Sequence, residues 1–208
     1  MNRHRLSFVL LLGALLLGLM VAPRLRADAP PVVINEVLAG NATTNLDPQF
    51  TNYAPWVELY NAGSSAVSLA GYRLSNDAGN PAGYALPAGT SIAAGGRLLL
   101  WYDEMATGTH TNLSLDMRGD TIALFMPDGT LVDTLTYDTL LNGETLVDVA
   151  YGRTSDGAGT WAYFDAPTPG TANSGGLAAA DRLARPVFSP PGGVYAAGQS
   201  VTITAAPG

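Results

Sequence analysis

Few residues of this chain have types and spacings that could do chemistry. Beyond residue 27 there is one histidine, His110, set within Gly108-Thr109-His110-Thr111-Asn112, with Ser114 close behind. A histidine base beside a serine is the heart of nucleophilic hydrolysis. No nucleophile-elbow pattern surrounds Ser114, and a lone histidine lacks the partners that general-base work requires. His110 therefore reads as a residue that caps or orders a loop. Two carboxylates, Glu36 and Glu58, lie in neighbouring strand-like runs. Such a pair could serve glycoside hydrolysis if it flanked a sugar cleft at about 5–10 Å. Solvent-facing or edge-protecting charge on a sheet is the simpler expectation for both.

Calcium is the metal that the remaining carboxylates would suit, because an acidic exported chain often meets millimolar calcium. Asp103 and Glu104, together with Asp116 and Asp120, flank the His110 segment and could converge. No Asp-x-Asp-x-Asp-Gly run is present, and Asp77 and Asp128 sit beside turn residues, where aspartate accepts backbone hydrogen bonds. Structural turn roles are favoured over calcium, and no organic cofactor is expected. Aromatic side chains offer a binding chemistry, since flat apolar rings stack on sugars. The tryptophans Trp56, Trp101 and Trp161 are expected in the core of a small β-domain. That leaves Tyr53 and Tyr84, in loops, as candidate ligand contacts.

Composition narrows the classes. The 208 residues include no cysteine, ten arginines, no lysine and seventeen acidic residues, for a net charge of −7. A disulfide framework, a thiolate metal site and a cysteine nucleophile are excluded. Arg3, His4 and Arg5 precede a run from Phe8 to Ala22 without charge. That run fits a signal-peptide core better than a membrane span, which needs about 20 apolar residues. Cleavage is expected after Ala27, although Pro30 follows closely. Arg24 and Arg26 keep an uncleaved anchor open, the one circumstance in which a membrane would be a partner. The expected location is exported, either extracellular or at the cell surface. Without residues 1–27 the chain keeps six arginines against seventeen acids, a net charge of −11. Phosphates would be repelled, so nucleic acid is not an expected partner.

The elements that must position these residues read as short strands. Val32 to Ala39, Trp56 to Asn61, Tyr72 to Ser75 and Arg97 to Tyr102 are separated by Gly, Pro, Asn and Asp clusters. In the second run Trp56, Glu58 and Tyr60 alternate with Val57 and Leu59. Thr121 to Tyr137 is an alternating hairpin around Pro127-Asp128-Gly129, where proline presets φ and glycine accepts positive φ. Asp148 to Gly152 and Trp161 to Phe164 look like closing strands. Many short strands with turns between them predict an all-β sandwich. Ile34, Leu59, Leu74, Leu99, Leu124, Phe125, Leu135 and Trp161 are the expected inward residues.

Several segments, in order, resemble the lamin-tail domain, an immunoglobulin-like β-sandwich also found in exported bacterial proteins. Ile34-Asn35-Glu36-Val37 resembles its opening strand. Trp56 to Asn61 and Val67-Ser68-Leu69-Ala70-Gly71-Tyr72-Arg73-Leu74-Ser75 resemble its most recognisable stretch. Leu86 to Thr90, Ala94-Gly95-Gly96, His110-Thr111-Asn112 and Gly119-Asp120 are similar to its later turns. Tyr151-Gly152-Arg153 and Pro167 to Asn173 resemble its closing segments. Asp120 departs from the glutamate of many members, and residues 41–55 form a longer first loop. A shorter resemblance, from Pro186 to Thr204, is to the start of a chitobiase C-terminal-like, fibronectin-III-associated β-module.

The expected organisation is a signal peptide at 1–27, a short lead-in at 28–31 and a lamin-tail-like sandwich at 32–173. A linker at 174–185 and an incomplete second β-module at 186–208 follow, so the chain is expected to be the front of a longer protein. The resemblance implies a non-catalytic interaction or scaffolding module of a cell-surface or secreted protein, with a protein or a cell-envelope glycan as partner. One alternative is the accessory N-terminal domain of an exported enzyme, such as a CotH-type kinase or a hydrolase, whose catalytic part lies further on. Another is a carbohydrate or cell-wall binding module.

Overall fold

The computed structural model describes residues 30–138, 140–141, 144–178, 187–195 and 197–204. The leader expected at 1–27 and most of the linker expected at 174–185 lie outside the described residues. The elements among the described residues are all strands: β1 (Val32–Leu38), β2 (Trp56–Asn61), β3 (Val67–Ser68), β4 (Arg73–Ser75), β5 (Tyr84–Ala85), β6 (Ser91–Ile92), β7 (Arg97–Trp101) and β8 (Asp120–Phe125). They continue with β9 (Leu131–Tyr137), β10 (Leu140–Leu141), β11 (Glu144–Thr145), β12 (Ala150–Ser155), β13 (Ala158–Phe164), β14 (Val187–Ser189) and β15 (Thr202–Thr204). No helix among the described residues is long and apolar enough to cross a membrane.

Two sheets form the sandwich. One has five strands in the order β13-β12-β1-β2-β7, and the other has four in the order β5-β4-β8-β9. Every pairing is antiparallel. Strand alternation sends Ile34, Val57, Leu59 and Leu100 to the inner face of the first sheet. Leu74, Ile122, Leu124 and Leu135 meet them from the second, and all of these are buried in one cluster. The β8–β9 hairpin turns where the sequence predicts it. Gly129 takes φ +86, and Asp128 Oδ1 accepts the Thr130 N–H at 2.9 Å.

The faces differ from expectation at Leu99. Its cross-strand partner is Glu58, whereas Leu98 and Leu100 pair with Leu59 and Val57. Leu99 therefore lies on the outer face of the five-stranded sheet, packed against a second cluster of Leu38, Trp56, Trp101, Ala150, Ala162 and Phe164. A sheet of this kind often leaves one face to water. Here residues 165–177 lie against that face. Leu177 pairs with Tyr163 by backbone hydrogen bonds of 2.8 and 2.9 Å. Gly176 sits so close that an added Cβ would come within 2.7 Å of Phe164. Trp161 is half-buried against the inner cluster rather than fully inside it.

A bulge interrupts β1 between Ile34 and Glu36. Backbone groups displaced from a ladder must find other partners. Asp133 Oδ2, from the opposite sheet, accepts the Ile34 N–H at 2.9 Å, and Arg153 Nε donates to the Ile34 carbonyl at 2.8 Å. Arg153 and Asp133 also pair at 3.1 Å, tying the two sheets together. Further on, β14 and β15 form a two-stranded antiparallel pair.

Candidate functional site

Two buried polar centres contain the residues with chemical potential. The first is the carboxylate pair. Glu36 and Glu58 are direct cross-strand partners on the outer face of the five-stranded sheet. Both are fully buried, contrary to the expectation of solvent-facing charge. The reason is tertiary: the segment 165–177 lies over them. Glu36 Oε1 accepts the Thr168 N–H at 2.9 Å, and Oε2 accepts the Thr168 hydroxyl at 2.7 Å. Glu58 Oε2 accepts the Gly170 N–H at 2.6 Å, and Oε1 accepts the Asn35 amide at 3.0 Å.

Asn35 is the hub. Its side-chain nitrogen lies at 3.0 to 3.1 Å from Glu58 Oε1, Asp156 Oδ1 and Asn173 Oδ1, and its Oδ1 accepts the Gly157 N–H at 3.1 Å. Asn173 returns the contact, donating to the carbonyls of Asn35 and Arg153. Arg97 pairs with Asp156 and approaches Glu58 at 3.7 Å. Gly152 makes room, because a Cβ there would lie 3.0 Å from Glu36 Cγ and 3.2 Å from Asn173 Nδ2. Burial pushes the Glu58 carboxyl up to about 7, against the pull of Asn35, Gly170 and Arg97. Burial also raises Glu36. At Asp156 desolvation works upward too, but hydrogen bonds from Asn35, Asn173 and Arg97 outweigh it and hold that carboxyl low. This arrangement clasps the closing segment to the sheet. With all four oxygens of the two glutamates engaged by the fold and both side chains buried, the pair is not presented to a sugar.

The second centre joins two loops. His110 is buried, and its Nδ1 lies 2.7 Å from Asp103 Oδ2 and 3.9 Å from Asp47 Oδ2. The Phe50 ring meets the imidazole edge-on at 4.7 Å, and Trp101 stacks at 6.3 Å. His110 thus orders a loop junction, with Asp47 as a partner that the sequence reading did not single out. The Asp47-Pro48 step in a polar loop is the one local signal that could have pointed there. Asn35, Asp156 and Asn173 were also missed; Asn35, a polar residue within an apolar run, was the available clue.

The four carboxylates considered for calcium separate. Asp103 belongs to the His110 centre, while Glu104 points to solvent. Asp120 Oδ2 accepts the Asn76 amide at 2.8 Å and the Asp116 N–H at 3.2 Å. Asp116 is exposed and accepts the Arg118 N–H at 2.8 Å. Of the candidate aromatics, Tyr53 is exposed. Tyr84, expected in a loop, instead lies in β5 opposite Leu74; it is half-buried, and its hydroxyl donates to the Gly108 carbonyl at 3.3 Å.

Compared with known proteins, the chain matches none of the curated proteins. The Lamin Tail Domain family matches residues 26–139. The matched stretch contains β1 to β9, and β12 and β13 complete the five-stranded sheet beyond it. With that match over more than half its length and the two-sheet architecture above, the chain belongs to the lamin tail domain family of non-catalytic, immunoglobulin-like β-sandwiches.

Proposed function

We propose that the chain is an exported interaction module that docks a protein partner through one end of the sandwich. The observation that carries this reading is a contrast in exposure. The buried carboxylates and histidine are held by hydrogen bonds within the fold, whereas the two loops that meet at His110 present Leu46, Phe50, Tyr53 and Met105, each 36% to 50% exposed. Apolar side chains gathered at a loop end suit recognition, and methionine adapts readily to a partner's surface. Leu46 and Met105 are not flat, so they favour a protein over a sugar, which stacks on rings. The charged leader followed by an apolar core supports export, and the acidic remainder disfavours nucleic acid.

Affinity capture from cell-envelope fractions tests this. The wild-type chain is expected to enrich a protein partner over an unrelated sandwich, and a Leu46→Ser/Met105→Ser variant to lose most of that enrichment. Equal capture by wild type and variant would overturn the reading. Capture of purified cell-wall glycan alone would replace the protein partner with a sugar.

A further inference from the structure

We propose that Asp47, Asp103 and His110 form a binding site for one divalent transition-metal ion of the zinc class. One ligand atom from each residue lies within 4.8 Å of the other two. A tetrahedral ion with bonds of about 2.0–2.2 Å holds its ligand atoms roughly 3.4 Å apart. The Nδ1 distances to Asp103 and Asp47, 2.7 and 3.9 Å, fall on either side of that spacing. Small opposite shifts of two side chains would complete the geometry.

Charge supplies an independent argument. The side chains of His110, Asp47 and Asp103 are only 2%, 0% and 6% exposed. Two buried carboxylates therefore face a single imidazole. Neither makes an ion pair with an arginine among the described residues, and the chain has no lysine. Buried charge without a counter-charge is costly. A divalent cation balances both carboxylates and accepts the imidazole nitrogen.

The donor set selects the class of ion. Calcium asks for six to eight oxygens, whereas one imidazole with two carboxylates suits a zinc-type ion with a further position for water. The other oxygens are already committed. Asp47 Oδ1 accepts the Gln49 N–H at 2.8 Å, and Asp103 Oδ1 accepts the Met105 N–H at 3.3 Å; Asp47 Oδ2, the oxygen facing the imidazole, also accepts the Phe50 N–H, at the longer distance of 3.3 Å, and keeps a lone pair for the ion. Outer hydrogen bonds of this kind orient ligating carboxylates. Phe50 and Trp101 give the imidazole an apolar surround. The site would pin the loop 41–55 to the segment 103–110.

The test uses chain stripped with a chelator and reloaded with zinc chloride or cobalt chloride. About one zinc per chain is expected to survive gel filtration, and Co²⁺ to give the intense visible bands of a tetrahedral ion. His110→Gln and Asp103→Asn are expected to lose both signals, and Asp116→Asn, at an exposed carboxylate away from the site, to keep them. A variant that fails to fold leaves the question to the wild type: bound Co²⁺ should displace the His110 ring resonances in the proton spectrum. Absence of retained zinc, retention undiminished in folded His110→Gln, or unmoved His110 resonances would each overturn the site. Stabilisation by calcium equal to that by zinc would overturn the assignment of the ion.

Discussion

Glu36 and Glu58 face each other across β1 and β2, yet each is hydrogen-bonded to the closing segment, one to Thr168 and the other to Gly170. Two carboxylates that could have formed a catalytic pair instead hold residues 165–177 against the sheet. The inner core and this outer clasp are separate sources of stability, and they can be tested separately.

The first test is pH. The Glu58 carboxyl is raised from 4.5 to about 7 in the folded chain. Between those values the folded state holds a proton that the unfolded state has lost, so stability falls as pH rises through this window. The full effect is roughly 3 kcal/mol, at about 1.4 kcal/mol per unit. Urea melts from pH 4.5 to 8 should show the decline, and Glu58→Gln should remove the larger part of it. Asp156, held low, acts in the opposite sense, its contribution being lost only as pH falls below about 4.

Thr168→Val keeps the shape of the side chain but removes the hydroxyl that Glu36 Oε2 accepts. An unsatisfied buried acceptor costs about 1–3 kcal/mol. Hydrogen exchange should quicken in residues 165–177 while the β8–β9 hairpin keeps its protection. Uniform loss of protection would show that the clasp and the core are one unit.

Gly152→Ala places a methyl 3.0 Å from Glu36 Cγ and 3.2 Å from Asn173 Nδ2. Overpacking of this kind costs about 1–3 kcal/mol. Thermal melting should fall by several degrees, and the Glu36→Ala background, which removes the crowded atom, should absorb part of the penalty.

Leu59→Ala empties the inner cluster and should cost about 2–5 kcal/mol. Leu99→Ala, on the outer face and only half-buried, should cost clearly less. Chemical denaturation of both variants checks the order; equal losses would contradict the face assignment.

Calcium at millimolar concentration should leave the melting temperature unchanged. Asp116 and Asp120 are held by Arg118, Asn76 and Thr121, and Glu104 stands apart in solvent. A rise in melting temperature on titration would show that these side chains rearrange around the ion.

What was legible in the sequence follows from the two-residue period of a strand. Trp56, Glu58 and Tyr60 could be set on one face and Val57 and Leu59 on the other because alternation is a local property. The turn at Pro127-Asp128-Gly129 and the ordered family segments were legible for the same reason. Alternation alone could not say which face of β7 is inward, and Leu99 was placed wrongly because Leu98, Leu99 and Leu100 are all leucine. Nor could it say that the outer face is covered. The burial of Glu36 and Glu58 depends on Thr168 and Gly170, more than a hundred residues further along the chain. The meeting of Asp47 with Asp103 and His110 likewise depends on how two distant loops fold back over one sheet end. The sequence by itself determined the longer strands, the alternation of side chains within each, and the family resemblance. Only the tertiary structure decided which polar side chains lose water, because desolvation is set by what the rest of the chain brings to the surface of each strand.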